Sequence, residues 1–290
     1  FNLIGTVVFM VLFYMINAAV HFPFMAQMAT PATIAITHSV FNITATLVWL
    51  PFSNLLVKLA CLTIRDDKVD EVSREDQEFM ILESRFLEKP AFAVEQGRNA
   101  AKHMEQDSRK ILDIALGLIY SYSDEQAERV QKLESKIDRY EDELGTYLVK
   151  LNNKDLSERD SHSVSIMLHC IGDFERISDH AVNIMESAQE LHEKNISFSP
   201  QARNELQVLV AVVSRIVDTA YQVFDRQDLN LVSDVEPLEE IVDELSKELK
   251  RRHVNRLRLG ECTIEMGFIL TDLITSLERI ADHCSNISVC

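Results

Sequence analysis

The pattern of hydrophobic positions changes once along this chain. From Phe1 to Val57 there is no Asp, Glu, Lys or Arg, and Lys58 is the only one before Arg65. Further on, apolar residues recur every three or four positions, as at Leu133, Ile137, Tyr140 and Leu144, with polar residues between them. That is the period of an amphipathic helix. The uncharged part differs: "FNLIGTVVFMVLFYMINAAV", Phe1 to Val20, is apolar all round and long enough to cross a bilayer core of about 30 Å as a helix. A second apolar run, Thr33 to Ile64, is interrupted at Pro51 and reads as one kinked span or a span plus an interfacial piece, with "HFPFMAQMATPA" as the loop between the runs.

Both halves of the pattern repeat. In the apolar part "FNLIGTVVF" from Phe1 is echoed by "FNITATLVW" from Phe41, which brings Asn2, Thr6, Asn42 and Thr46 into register. Polar residues in apolar helices are costly unless they bond another helix or line a cavity, so these read as interhelical contacts or a transport pathway. In the polar part "DFERISDHAVNI" from Asp173 lies 103 residues before "SLERIADHCSNI" from Ser276, and seven of twelve positions agree. Upstream, "VQKLESKIDRYEDEL" from Val130 aligns with "VEPLEEIVDELSKEL" from Val235 at an offset of 105. Each repeat then has three helices: about 91 to 121, 124 to 152 and 159 to 194, then about 199 to 227, 235 to 258 and 262 to the end. Ser123 and Ser199 stand where caps belong, with Pro200 at the first helical position. The expected class is all-α, with one or two transmembrane helices followed by two tandem antiparallel three-helix bundles. Residues 1–64 form the membrane part, 65–90 a charged linker, 91–195 the first repeat and 196–290 the second.

Composition agrees with long helices, since only 7 Gly and 6 Pro punctuate 290 residues. With 29 Lys+Arg against 46 Asp+Glu, a net charge of −17 repels phosphate backbones, argues against nucleic acid and favours cation capture. Five scattered Cys without a CxxC pair argue against a zinc ribbon or a disulfide framework, so the bundles read as cytoplasmic. The chain opens without Met inside an apolar run and stops at "NISVC", which reads as a fragment cut at both ends.

The candidate chemistry is a doubled Glu-x-x-x-Asp. Glu134 with Asp138 and Glu175 with Asp179 occupy the second and third helices of the first repeat, and Glu239 with Asp243 and Glu278 with Asp282 those of the second. An i,i+4 spacing stacks two carboxylates on one helical face, where they repel by roughly 0.2–0.5 kcal/mol. A single such pair is commonplace on a solvated face. Four in register favour a divalent cation shared between neighbouring helices. On the third helix Phe174, Ile177, Ala181 and Ile184 form the core stripe, and Glu175, Asp179 and Asn183 a separate one that opens to solvent. His180 and His283 lie about a quarter turn away and read as polar contacts to a neighbouring helix rather than ligands. Arg176 and Arg279 point elsewhere and read as partners of acidic neighbours, and Asn183 and Asn286 stay lesser candidates. The Glu-x-x-His of di-iron enzymes is absent from this register, and the chain reads as no enzyme. A carboxylate-bridged metalloenzyme is the weakest rival.

These motifs, with "ERISDHAVNI" and "LERIADHCSNI" in the third helices, resemble the PhoU domain. "IAITHSVFNITATLVWLPF", Ile34 to Phe52, is similar to the end of the second repeat of the sodium-dependent phosphate cotransporter family, and "FLEKPAFAVEQ", Phe86 to Gln96, to the entry into PhoU in bacterial proteins that fuse the two. The resemblance implies a sodium/phosphate symporter, multi-pass in the bacterial inner membrane, with a cytoplasmic PhoU-like regulatory domain. It further implies iron, zinc or magnesium-class ions on Glu134, Asp138, Glu175, Asp179, Glu239, Asp243, Glu278 and Asp282, with sodium as coupling ion. Inorganic phosphate, a phosphate-signalling protein and a second copy of the chain are the implied partners. The Gln-Ser-Ser-rich transport signatures of that family do not occur in these 290 residues. The alternative is a membrane-tethered signalling module without transport.

Overall fold

The computed structural model describes residues 2–22, 30–49, 79–227 and 230–289. The chain divides into Phe1–Val72 and Ser73–Cys290. In the first unit α1 (Asn2–Val20) and α2 (Pro31–Trp49) meet through the rings of Phe9 and Phe41, edge to face at 5.0 Å. Helix α1 stops because His21 turns left-handed, with φ 54°, and the Asn17 side-chain oxygen accepts from the Phe22 N–H at 3.0 Å. Thr6, Asn42 and Thr46 are exposed. The expected kink at Pro51 and residues 65–78 of the expected linker lie outside the described residues.

The described helices do not carry the expected multi-pass span. Within α1 and α2 the apolar stretches among the described residues are Phe9–Val20 and Ile34–Thr44. Among the described residues the one helix long and apolar enough to cross a membrane is Pro200–Arg226. Its apolar face is already used, with Leu206, Leu209, Val213, Ile216 and Val217 fully buried in a helical bundle.

The described residues of the second unit form six long helices: α3 (Pro90–Leu118), α4 (Asp124–Asn152), α5 (Glu158–Glu193), α6 (Pro200–Arg226), α7 (Val232–Arg258) and α8 (Ile264–Val289). The first three pack on one another, as do the last three, and the two sets join chiefly along α5 and α8. This all-α, PhoU-like arrangement agrees with the amphipathic reading. Leu133, Ile137, Tyr140 and Leu144 are buried on α4, and Phe174, Ile177, Ala181 and Ile184 on α5. Met167 and Met185 are core residues as well, and Met266 packs at its edge.

Local chemistry sets the helix starts. Pro90 and Pro200 open α3 and α6, where an amide N–H has no helical partner. The Ser199 hydroxyl accepts from Ala202 N–H at 3.2 Å and Ser157 from Asp160 N–H at 3.2 Å. Ser123 differs from expectation: its backbone is extended as a cap's should be, but its hydroxyl makes no cap bond. Acidic Asp124 and Glu125 instead complement the dipole in the first turn of α4. Helix α7 begins at Val232 rather than 235, which places Pro237 inside it. Just before α3, Met80–Leu82 and Ser84–Glu88 form short 3-10 turns and bury Phe79 and Leu87. The Phe79 ring lies 4.5 Å from that of Tyr140 and beneath the Arg139 guanidinium.

The two bundles share one core. Phe174 of α5 meets Tyr221 and Phe224 of α6 edge-on at 5.3 and 5.1 Å. Buried Ser108 of α3 donates to the Phe174 carbonyl at 3.1 Å and lies 2.9 Å from the Tyr221 hydroxyl. Polar atoms excluded from water need such partners.

Candidate metal centre

The i,i+4 spacing on α4 and the matching register of α5 bring the acids of the first repeat together across one helix pair. Ligand oxygens of Glu134, Asp138 and Asp179 all lie within 4.8 Å of one another. Burial, then repulsion from Asp138, pushes the Glu134 carboxyl above its ordinary range, and burial followed by Asp179 and Asp142 does the same to Asp138. Glu175 is outside the tightest trio but in the same field. Burial, then the Asp179 charge, pushes it up to about 7, with Arg176 opposing. Among the described residues no Lys or Arg nitrogen lies within 4.0 Å of these four carboxylates. The nearby bases of α4 go elsewhere: Lys136 to Asp107 at 2.8 Å and Arg139 to Glu143 at 2.6 Å.

The second repeat repeats the acids but not their surroundings. Glu239 and Asp243 lie on α7, Glu278 and Asp282 on α8. Lys250 Nζ donates to Glu278 at 2.6 Å, Lys247 Nζ to Asp243 at 3.0 Å, and Arg279 Nη1 to Asp282 at 3.0 Å. Glu239 alone of the four has no ion pair among the described residues. Burial, then Asp243 and Asp282, raises its carboxyl.

The family match fits this duplication. The profile described as "PhoU domain" matches residues 101–188 and 206–289, one match per repeat and more than half of the chain together. The chain belongs to the PhoU domain family. It is 30% identical over 115 residues to the phosphate-specific transport system accessory protein PhoU homolog 1 of Thermotoga maritima, an alignment that covers 40% of this chain and 49% of that protein. The chain thus spans about half the length of that relative. With the PhoU homolog of Deinococcus radiodurans it shares 22% over 66% of this chain and 88% of the relative. The crystal structure of PhoU from Pseudomonas aeruginosa superposes with a TM-score of 0.63 at 24% identity, over 68% of this chain and 94% of that one, a likeness of fold. The PhoU match lies wholly within the helical bundles. Together with the spent apolar face of α6, it overturns the expected multi-pass placement in a bacterial inner membrane.

Within this PhoU fold the remaining candidates fall at the seam between repeats. The His283 Nδ1 and an Asp173 oxygen are 2.8 Å apart, Asn286 donates to the same oxygen at 3.3 Å, and the rings of His180 and His283 stack at 5.8 Å. Both histidines therefore face a neighbouring helix, as expected, and Asn286 joins them there. Internal symmetry is broken at this point. The counterpart of Asp173 is Ser276, and His180 Nδ1 is buried without a hydrogen-bond partner. Burial, then the neighbouring His283, lowers the His180 pKa. Arg279 pairs with a candidate ligand itself, which the sequence reading did not identify. The missed residues are Lys247 and Lys250, although the repeat alignment does place them opposite Asp142 and Gly145.

Proposed function

We propose that this chain is a PhoU-like accessory protein that regulates phosphate transport, with divalent cations on the carboxylates of its helical bundles. The observation that carries the proposal is the paired match of both repeats to the PhoU domain. The relatives named above are phosphate-specific transport system accessory proteins, so the implied partner is a protein of phosphate transport or signalling. Phosphate uptake in cells lacking their own PhoU gene, with and without this chain, tests the regulatory reading. A changed uptake rate at high phosphate is expected; identical rates would remove it.

For the metal, the donor set is informative. Glu134, Asp138 and Asp179 supply oxygen only, which suits hard ions of the magnesium, manganese or ferrous class better than zinc, whose sites favour nitrogen and sulfur. The close histidines serve the inter-repeat seam instead. When bound, the ion would neutralise the Glu134 and Asp138 carboxylates, whose burial and mutual repulsion disfavour their charged forms.

A finer reading, sodium-coupled phosphate transport by a longer protein, is supported by the paired Asn and Thr of the apolar segments and by the resemblance of Ile34 to Phe52. Sodium dependence of phosphate uptake by the full-length protein decides it. Uptake indifferent to sodium would leave the regulatory reading alone.

A further inference from the structure

Resting on the metal reading above, we propose that the second repeat's carboxylates are closed by the chain's own cations, so that divalent-cation binding is confined to the first repeat. The duplication places equivalent acids at equivalent positions, so the backbone arrangement does not separate the two sets. What separates them is two substitutions on one helical face. Asp142 of α4 is replaced by Lys247 on α7, and Gly145 by Lys250. In the first repeat Asp142 adds to the negative field and raises the Asp138 carboxyl. In the second, the Lys247 and Lys250 ammonium groups and the Arg279 guanidinium lie within 3.0 Å of Asp243, Glu278 and Asp282.

These contacts bear on both repeats. They show that this carboxylate register, where the chain supplies a cation, holds it. They also occupy one oxygen of each of three of the four carboxylates. The Lys250–Glu278 pair spans two helices at 2.6 Å with Glu278 mostly covered, unlike a surface pair within one turn. A divalent ion entering there must displace this ammonium and share the site with two further positive charges. Among the described residues of the first repeat it meets carboxylates, the Ser135 hydroxyl that donates to Glu134 at 3.2 Å and, at longer range, the Arg176 charge on Glu175. Binding to the first set relieves repulsion; binding to the second exchanges one set of ion pairs for another.

The test uses the whole chain and Mn²⁺ alone, with bound metal counted after equilibrium dialysis and folding checked by circular dichroism. Asp138→Asn with Asp179→Asn should lose nearly all bound Mn²⁺, and Asp243→Asn with Asp282→Asn should keep it. Lys247→Asp with Lys250→Gly, which gives the second repeat the residues of the first, should roughly double the metal bound. Equal loss from both Asn variants would overturn the inference while leaving the metal reading intact. An unchanged count in the lysine exchange would also overturn it. No Mn²⁺ on the wild type or on any variant would end both.

Discussion

The two repeats hold the same acids in the same register and neutralise them differently. In the first, four carboxylates and Asp142 face one another across α4 and α5, and Glu134, Asp138 and Glu175 are all pushed towards the protonated form. In the second, Lys247, Lys250 and Arg279 answer three of the four acids. A duplicated fold therefore fixes where the acids stand, while one or two neighbouring positions decide whether a lysine of the chain answers them. The hydrophobic side is not divided in this way. Phe174 belongs to the first repeat by sequence but buries its ring against the first helix of the second.

That shared core gives the largest test. Phe174→Ala removes a fully buried ring at the junction and should cost about 3–5 kcal/mol, and Leu277→Ala, its equally buried counterpart on α8, about 2–5 kcal/mol. Both should lower a single melting transition of residues 79–289, because the buried residues of the two bundles form one cluster. Two resolved transitions in calorimetry, with only one shifted by each substitution, would show instead that the repeats are independent units.

A smaller difference lies in how each repeat seats one large side chain. Leu148 on α4 and His253 on α7 are equivalent positions, and each packs against a glycine. A Cβ on Gly97 would stand 3.1 Å from the flexible tip of Leu148; one on Gly267 would stand 2.6 Å from the buried His253 ring. The ring would have to turn and give up its place 3.7 Å from Cys262 Sγ. Gly267→Ala should destabilise by roughly 1–3 kcal/mol. Gly97→Ala should be near neutral, since the better helix propensity of Ala offsets a small shift of Leu148. Equal effects in urea unfolding would refute the distinction.

These comparisons mark the limits of the sequence. The stripes on α4 and α5 were legible because burial imposes a period, and the eight acids because the repeat places them in register. Their neutralisation was harder to see, because Lys250 and Glu278 are 28 residues apart and meet only when α7 lies against α8. Ser123 and Ser199 look alike as caps, yet only Ser199 places its oxygen on an amide. Hydropathy misleads for a related reason: it records that α6 is apolar without recording that Phe174 and its neighbours cover that face. His283 could be assigned to a neighbouring helix by its angle on the wheel, but its partner Asp173 lies in the other repeat.

The finest test separates the repeats by sign. Glu175 is raised to about 7 from an ordinary 4.5, so between those values the folded chain holds a proton the unfolded chain has released. Its contribution to stability is therefore greatest at low pH and falls as pH rises through that window. The group is partly solvated, so the effect is smaller than the shift alone would suggest. At pH 7.5 without metal, Glu175→Gln removes a charge that its neighbours repel and should stabilise by a few tenths of a kcal/mol. It should also flatten the decline between pH 5 and 7.5. Glu278→Gln is the same chemical change at the equivalent position, but it leaves the Lys250 ammonium without its carboxylate partner. It should destabilise by roughly 0.2–1 kcal/mol, as expected for a partly exposed pair. Melting temperatures of the two variants at pH 7.5 should move in opposite directions. A shift of the same sign in both would mean that the lysines do not distinguish the repeats.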